Sequence, residues 1–128
     1  MIAKLILWVN NVEIPRQVVM GNDIRFVHNA YGTVIHPSTI IENNVQIYQN
    51  VTLGRGDCFR HYSLSRFKSI VLKEGSCICA GAKIICNEGT LTVGKNTVIG
   101  ANSVLLQSTG DNEIWAGVPA RLIKKREE

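Results

Sequence analysis

Three histidines are the residues of this chain best suited to proton transfer or metal binding: His28, His36 and His61. An imidazole has an ordinary pKa of about 6.5, so it can act as a general base or as a metal ligand near neutral pH. His28 and His36 share the stretch "RFVHNAYGTVIHP", which is otherwise typical of a buried strand. That stretch alone does not show which histidine does chemistry, so the elements that position them must be considered.

The other reactive side chains exclude some classes of site. The four cysteines are Cys58, Cys77, Cys79 and Cys86. Their spacing does not match the paired CxxC motifs of zinc sites, so we expect free thiols in the core or on the surface.

Composition predicts one globular domain over residues 1–128. The chain is 45% hydrophobic, 19% charged and only 6% aromatic, so its core must be mainly aliphatic. The net charge of +4 is modest, and no broad basic face with aromatic support indicates nucleic-acid binding. The apolar run at 5–9 is too short to span a membrane and no cleavage site follows it. We therefore expect a cytoplasmic protein.

A period of six residues runs through most of the chain. Its leading positions are all aliphatic: Ile35, Ile41, Ile47, Leu53, Leu72, Ile78, Ile84, Val93, Ile99 and Leu105. The fifth position of each hexad is small or β-branched, except at Asp57 and Glu88, where the repeat is interrupted. Such regularity indicates a repeat architecture.

Six residues match a short strand plus a corner, and neither a helix nor a simple strand has this period. If the leading residues point inward, three strands per coil wind into a triangular prism, with Asn and Gly at the corners in "ENN", "GKN" and "GAN". We therefore predict a β-solenoid, in which each coil is stabilised by its neighbours. The segment at about 55–69 is too long for a corner and is predicted to be an extruded loop, and a short basic tail ends the chain.

The chain resembles the hexapeptide-repeat acyltransferases. The resemblance rests on "IIENNVQIYQNVTLG" (40–54), "AGAKI" (80–84), "VGKNTVIGANSVLLQ" (93–107) and "WAGVPARLI" (115–123). These motifs are most similar to the serine acetyltransferase branch and to relatives that acetylate sugars in surface-polysaccharide pathways. The resemblance implies an all-β, left-handed parallel β-helix and an O-acetyltransferase that uses acetyl-CoA. It also implies a homotrimer with active sites between subunits.

The resemblance also implies a catalytic pair. The family histidine that precedes the "VIxxxxxIExxVxI" run corresponds to His28, and the family's acidic residue fifteen positions earlier corresponds to Glu13. A histidine base would take the proton of the attacking hydroxyl, while a carboxylate orients the imidazole. Because three hexads make a coil of about eighteen residues, Glu13 is expected on the neighbouring coil, near the same edge.

Further site residues are implied by the same resemblance. A second family histidine corresponds to His61, which with Arg60 and Tyr31 is expected to bind the acceptor. The predicted loop would shape that pocket. The residues expected along CoA are Ala80, Gly81, Gly100, Ala101, Gly117, Arg121 and Lys124. No metal is expected.

Several alternatives remain at this point. An acid precedes the catalytic histidine in serine acetyltransferases, whereas this chain has Val27, and the large helical N-terminal domain of those enzymes is not among its 128 residues. We therefore predict a sugar or polysaccharide-precursor acceptor, with serine as the alternative and N-acetylation of an amino sugar still open. Two other classes of protein are also considered. One is a zinc enzyme on the same fold, although the histidines at positions 28, 36 and 61 lack the closely spaced pair of the related carbonic anhydrases. The other is a non-catalytic scaffold.

Overall fold

Short β-strands account for most of the regular structure in the computed structural model, which describes residues 8–127. The strands are β1 (Val19–Met20), β2 (Arg25–Phe26), β3 (Val34–Ile35), β4 (Thr39–Ile41), β5 (Gln46–Ile47), β6 (Thr52–Arg55), β7 (Phe67–Leu72), β8 (Cys77–Ile78), β9 (Lys83–Cys86), β10 (Gly89–Val93), β11 (Val98–Ile99), β12 (Val104–Leu105), β13 (Glu113–Gly117) and β14 (Ala120–Lys125). Two 3-10 turns cover Val27–Ala30 and Tyr62–Leu64. Of the apolar run at 5–9, residues 5–7 lie outside the described part. Within 8–127 there is no helix long and apolar enough to cross a membrane.

The strands stack into three sheets, as the six-residue period predicts. Sheet 1 has the order β1-β4-β7-β10, sheet 2 the order β14-β13-β11-β8-β5-β2, and sheet 3 the order β12-β9-β6-β3. From β1 to β12 the chain visits sheets 1, 2 and 3 in turn, and β13 and β14 then both join sheet 2. Each strand pairs in parallel with the strand one coil away, except that β13 and β14 pair antiparallel. Each coil therefore adds about 4.8 Å, the usual spacing between paired strands.

The interior is built from the leading residues of the hexads. All ten of them are at most 1% exposed, so the predicted aliphatic ladders are confirmed. The register places Ile47 beside Ile78 and Ile78 beside Ile99, which extends one such ladder from coil to coil. Two hydroxyl groups at buried fifth positions donate to backbone carbonyls: Thr39 Oγ1 to that of His36 at 2.7 Å and Thr97 Oγ1 to that of Gly110 at 2.7 Å. The buried hydroxyl of Ser76, another fifth position, has no hydrogen-bond partner among residues 8–127.

The corners use asparagine and glycine in left-handed backbone conformations. Asn44, Asn96 and Asn102, the last residues of the three predicted corner triplets, have φ of 60°, 54° and 56°. Asparagine adopts this region at lower cost than most residues. Gly81 (φ +73°) faces Asn102, and a Cβ on it would collide with the Asn102 side-chain oxygen. The two residues thus fit one another across adjacent coils.

The interruption after β6 is an ordered loop that is shorter than predicted. β6 ends at Arg55 and β7 begins at Phe67, so the long loop spans residues 56–66 instead of about 55–69. The flanking residues extend sheets 3 and 1 because their backbone pairs with the neighbouring coil.

The C-terminal residues also differ from the expected tail. Ala120–Lys125 forms β14, which pairs antiparallel with β13. Ala120 is buried, and the Lys125 ammonium lies 3.0 Å from the carboxylate of Glu113. This strand covers the edge that β13 would otherwise expose, a recurrent way to protect the end of a sheet.

Candidate active site

The corner between sheets 2 and 3, here called the histidine corner, brings together most of the predicted site residues. It comprises one segment from each coil: 27–33, 48–51, 79–82, 100–103 and 116–119. It contains His28, Tyr31, Ala80, Gly81, Gly100, Ala101 and Gly117. Residues predicted from separate stretches of sequence therefore lie along one edge of the prism.

His28 is held in an unusual backbone conformation. His28, Asn29 and Ala30 follow β2 with φ of 54°, 56° and 48°, three consecutive residues in the left-handed region. The three extra residues of this coil are accommodated by that turn. Ala30 is fully buried and fixes the turn to the core, whereas His28 is exposed. The imidazole is thus presented at the surface by a turn anchored from within.

The neighbour of His28 on the next coil is Tyr48. The two rings are 6.3 Å apart at an interplanar angle of 63°, an edge-to-face arrangement. Val27 lies beside Tyr48 in the strand register, because Phe26 pairs with Ile47. The wall next to the imidazole is therefore apolar and aromatic, without an acid at position 27.

Glu13 lies on the coil before His28, as predicted. It forms a parallel bridge with Val34, its N–H donates to the carbonyl of Thr33 at 2.9 Å, and its own carbonyl accepts from Ile35. Glu13 is exposed. Within residues 8–127, no hydrogen bond or ion pair joins its carboxylate to the His28 imidazole. The catalytic pair stays a prediction.

Below Tyr48, the histidine corner is lined by small residues. The register aligns Cys79 with Tyr48, then Gly100 and Ala116. A Cβ on Gly100 would lie 3.0 Å from the Cβ of Ala116, so a side chain at position 100 would crowd Ala116. Arg121 pairs with Ala116 at the end of this column, and Lys124 is exposed on the same strand.

The long loop carries the other predicted acceptor residues. Arg60 donates its N–H to the carbonyl of Asp57 at 2.9 Å, and its guanidinium lies 5.3 Å from the Phe59 ring. His61 caps the turn Tyr62–Leu64, with Nδ1 accepting from the Ser63 N–H at 3.3 Å. An Nδ1 that accepts leaves the proton of the neutral ring on Nε2, so His61 offers a donor.

Asp57 organises this loop, a role that sequence reasoning missed. It is 4% exposed and accepts from the Ser65 hydroxyl at 2.9 Å and the Arg66 N–H at 2.8 Å. Arg55 Nε lies 3.6 Å away, while Arg55 Nη2 donates to the carbonyl of Arg60 at 3.3 Å. Burial raises the pKa of Asp57, but the hydrogen bonds from Arg66 and Ser65 and the positive charge of Arg55 lower it more. The sequence signal was an acid at a fifth hexad position, where the other coils have small residues.

The long loop and His28 lie at different corners of the same chain. The loop joins sheet 3 to sheet 1, whereas His28 precedes sheet 3, so the width of sheet 3 separates them. The structure of one chain therefore does not bring His61 and Arg60 to His28. Tyr31 lies at the histidine corner, where its carbonyl accepts from Asn50 at 2.9 Å.

His36 is the second residue of its hexad and precedes Pro37, which predicts a structural or incidental corner residue that points to solvent. Its contacts in the structure are structural, but it does not point to solvent. It is half-buried, its Nδ1 accepts from the Ser38 N–H at 3.0 Å, and its ring packs edge-on against Phe67 at 4.6 Å. Burial, and then the charge of Arg55, lower the pKa of His36. The start of β7 supplies the Phe67 contact, which the repeat phase alone could not show.

Other features of the surface lie away from the histidine corner. A depression of about 290 Å³ lined by Val19, Glu42 and Glu74 opens between sheets 1 and 2, and there Glu42 already accepts from the Glu74 N–H at 3.0 Å. In the part of the chain that the structure describes, no group of three or more His, Cys, Asp or Glu side chains could hold a metal ion. The four cysteines are free thiols.

Comparison with known proteins gives the class of fold and several relatives of the chain. No protein-family model matches the chain. The serine acetyltransferase of Haemophilus influenzae is 40% identical over 120 residues, which cover 90% of this chain and 40% of that protein. The structure of the Vibrio cholerae serine acetyltransferase superposes with a TM-score of 0.78 at 34% identity, covering 92% of this chain and 42% of that one. A serine acetyltransferase in complex with CoA gives a TM-score of 0.73 at 38% identity, covering 88% and 42%.

These similarities confirm that the chain folds as a left-handed parallel β-helix, the fold class of the hexapeptide-repeat acetyltransferases to which it is similar. Within that class its relatives are the serine acetyltransferases, as the motifs indicated. The chain spans about two fifths of the length of the curated relatives it matches. The comparisons do not support the sugar or polysaccharide acceptor predicted from Val27, and they favour the alternative, serine.

Proposed function

We propose that this chain carries the catalytic β-helix of an O-acetyltransferase that moves acetyl from acetyl-CoA to the hydroxyl of serine. The observation that carries the proposal is the histidine corner, where His28 stands at the head of a column of small residues. The similarity to serine acetyltransferases, one of them solved with CoA, supports both the donor and the acceptor.

In the proposed reaction, His28 is the general base. An alcohol is a weak nucleophile, and transfer to a positioned imidazole removes its proton as it attacks the thioester carbonyl. The left-handed turn holds the exposed imidazole over the corner, and the Tyr48 ring borders it on one side. Glu13 is proposed to orient the imidazole and stabilise its protonated form, as a carboxylate does in other histidine-based catalysts.

The column from Cys79 to Gly117 is proposed to bind the pantetheine arm of acetyl-CoA. Small side chains at Ala80, Gly100 and Ala101 let an extended chain approach the backbone. Arg121 on β14 is exposed at the end of this column and would meet the CoA phosphates through charge-assisted hydrogen bonds. Lys124 is exposed on the same strand, but it pairs with Ile114, two residues before Ala116, so the structure does not place it on the column. No metal is needed for these steps.

The acceptor pocket is proposed to form between subunits of a homotrimer. His28 and the long loop are separated by sheet 3 within one chain, so a loop from a neighbouring subunit would have to supply His61 and Arg60. His61 presents an Nε2 donor and Arg60 a cation, which suit a carboxylate group on the acceptor. This chemistry fits serine better than a neutral sugar.

An acceptor screen tests the proposal. Purified protein is mixed with acetyl-CoA and one acceptor at a time, and released CoA is measured with a thiol reagent. Serine should give turnover, whereas serine amide, which keeps the hydroxyl and lacks the carboxylate, should give much less. Turnover with nucleotide sugars or simple saccharides, and none with serine, would contradict the proposed acceptor. Absence of turnover with every acceptor, together with no acetyl-CoA binding, would contradict the activity itself.

A further inference from the structure

Cys77 and Cys79 form a pair of thiols on the outer surface of the prism. They flank buried Ile78 on β8, so both side chains point outward, and each is half-buried. Hydrogen bonding to the neighbouring Cys77 thiol lowers the pKa of Cys79 to about 7, although burial opposes it, and the same pairing raises the pKa of Cys77. A thiol with such a pKa is substantially ionised at neutral pH, and the thiolate is the reactive form.

Cys79 also lies within the histidine corner. The N–H of Tyr48 donates to the carbonyl of Ile78, and the N–H of Cys79 donates to that of Ile99, both at 3.0 Å. Cys79 is therefore one strand spacing, about 4.8 Å, from Tyr48 in the stack, and Tyr48 in turn borders His28. The reactive thiol lies close to where His28 acts.

The surroundings of the pair are positively charged. Arg25, two strands away on sheet 2, and Arg126, beyond the end of β14, both act on the Cys77 thiol electrostatically. Fixed positive charge of this kind, beside Cys77, raises the local concentration of anionic reagents near the pair. A thiol reagent carrying phosphates is thereby favoured over a neutral one.

We propose that Cys79 is a modification site that forms a mixed disulfide with CoA and so closes the histidine corner to acetyl-CoA. This proposal rests on the function proposed above, since the corner must bind CoA to direct the reaction. The reagent is CoA disulfide, the oxidised dimer of CoA. The cysteines outside this pair are not half-buried at the histidine corner: Cys58 is exposed on the long loop, and Cys86 is buried.

The reaction is a thiol–disulfide exchange. The Cys79 thiolate attacks one sulfur of CoA disulfide, a new S–S bond forms to that CoA, and the other CoA leaves as its thiolate. Cys79 is oxidised and the departing CoA sulfur is reduced, so no further oxidant is required. A small-molecule thiol such as dithiothreitol reverses the step, which frees the Cys79 thiol and reopens the histidine corner to acetyl-CoA.

The experiment compares CoA disulfide with glutathione disulfide as reagents for the full chain. Intact-mass and peptide mass spectrometry follow the modification, and desulfo-CoA, which has no thiol, is the competitor. We expect one CoA on Cys79, added at least about tenfold faster than glutathione because binding brings the sulfurs together. Desulfo-CoA should slow the addition, and Cys79→Ser should abolish it. Cys58→Ser, the matched control, should leave the rate unchanged.

A second variant pair tests the role of the neighbouring thiol. Cys77→Ala removes the hydrogen-bond donor and should slow the addition at pH 7 several-fold, whereas Cys77→Ser keeps a donor and should react nearly as fast as the native chain. Equal slowing by both variants would contradict the assigned role of Cys77.

Two outcomes would overturn the inference, and they are distinguishable. If CoA stabilises the protein in a thermal shift assay but Cys79 stays unmodified, or reacts equally with both disulfides, the inference fails and the proposed function stands. If CoA gives no shift and desulfo-CoA gives no protection, both fail together.

Discussion

His28 occupies a backbone conformation that determines how its role should be tested. Its φ of 54° costs roughly 1 kcal/mol for most residues, so alanine would disturb the turn as well as remove the imidazole. Asparagine tolerates this region and is the better substitution. We expect His28→Asn to reduce kcat for acetyl transfer by at least about 10²-fold, in line with loss of a general base, with little change in CoA affinity or melting temperature.

Asn29→Gly is the matched control, because the adjacent residue has the same backbone conformation (φ 56°) and Gly adopts it freely. It should retain most of the activity. Steady-state kinetics and CoA titration of both variants check the prediction. Near-native turnover of His28→Asn would exclude His28 as the base.

Asp57 makes stability depend on pH in a defined direction. Its pKa in the folded chain is below the ordinary value of 3.8, so its contribution is present above about pH 4 and is lost as pH falls through the folded pKa. Asp57→Asn should therefore lower the melting temperature at pH 7 and reduce the fall in melting temperature between about pH 4 and pH 2. Thermal unfolding across this range measures both effects.

Asp23→Asn serves as the comparison, since Asp23 is exposed and its φ of 60° suits asparagine. It should behave like the native chain. A melting curve for Asp57→Asn that stayed parallel to the native one at every pH would mean that Asp57 does not contribute in this way.

At the scale of elements, the sequence predicted the features that follow from the six-residue period. The ten leading residues are buried because one position in every six faces the inside of the prism, and the asparagine corners recur with the same period. The repeat does not encode the contacts of the long loop, so the Asp57 anchor and the packing of His36 against Phe67 were missed. It also did not predict β14, whose antiparallel pairing with β13 depends on the chain reversing direction at the end of the solenoid.

The inward ladders should dominate stability, since each strand of two to six residues is too short to be stable alone. Ile78 is fully buried between Ile47 and Ile99, and we expect Ile78→Ala to cost about 2–5 kcal/mol of unfolding free energy through lost burial and a cavity. Lys68→Ala, at an exposed position of β7, should change the unfolding free energy by less than about 0.5 kcal/mol. Urea denaturation of both variants provides the comparison, and equal costs would argue against the ladder as the main support.

At the scale of the whole molecule, the candidate site is divided between two corners of the prism. The residues that the family resemblance implied, His28, Ala80, Gly100 and Gly117, lie along one edge because residues one coil apart stack there. The repeat could not show that His61 lies across sheet 3 from His28, since the loop that carries His61 interrupts the repeat. We therefore propose that assembly of subunits completes the site.

Subunit mixing tests whether the site is shared. His28→Asn and His61→Ala should each be nearly inactive alone, because each removes one half of every site. When the two variants are co-expressed with different tags and assemble at random into a trimer, a given site has about one chance in four of receiving native His28 from one subunit and a native loop from the next. Doubly purified mixed protein should therefore recover about a quarter of native activity or more, whereas variants purified separately and mixed without subunit exchange should not. Failure of the mixed assemblies to recover activity would place His28 and His61 in the same subunit's site or remove His61 from it.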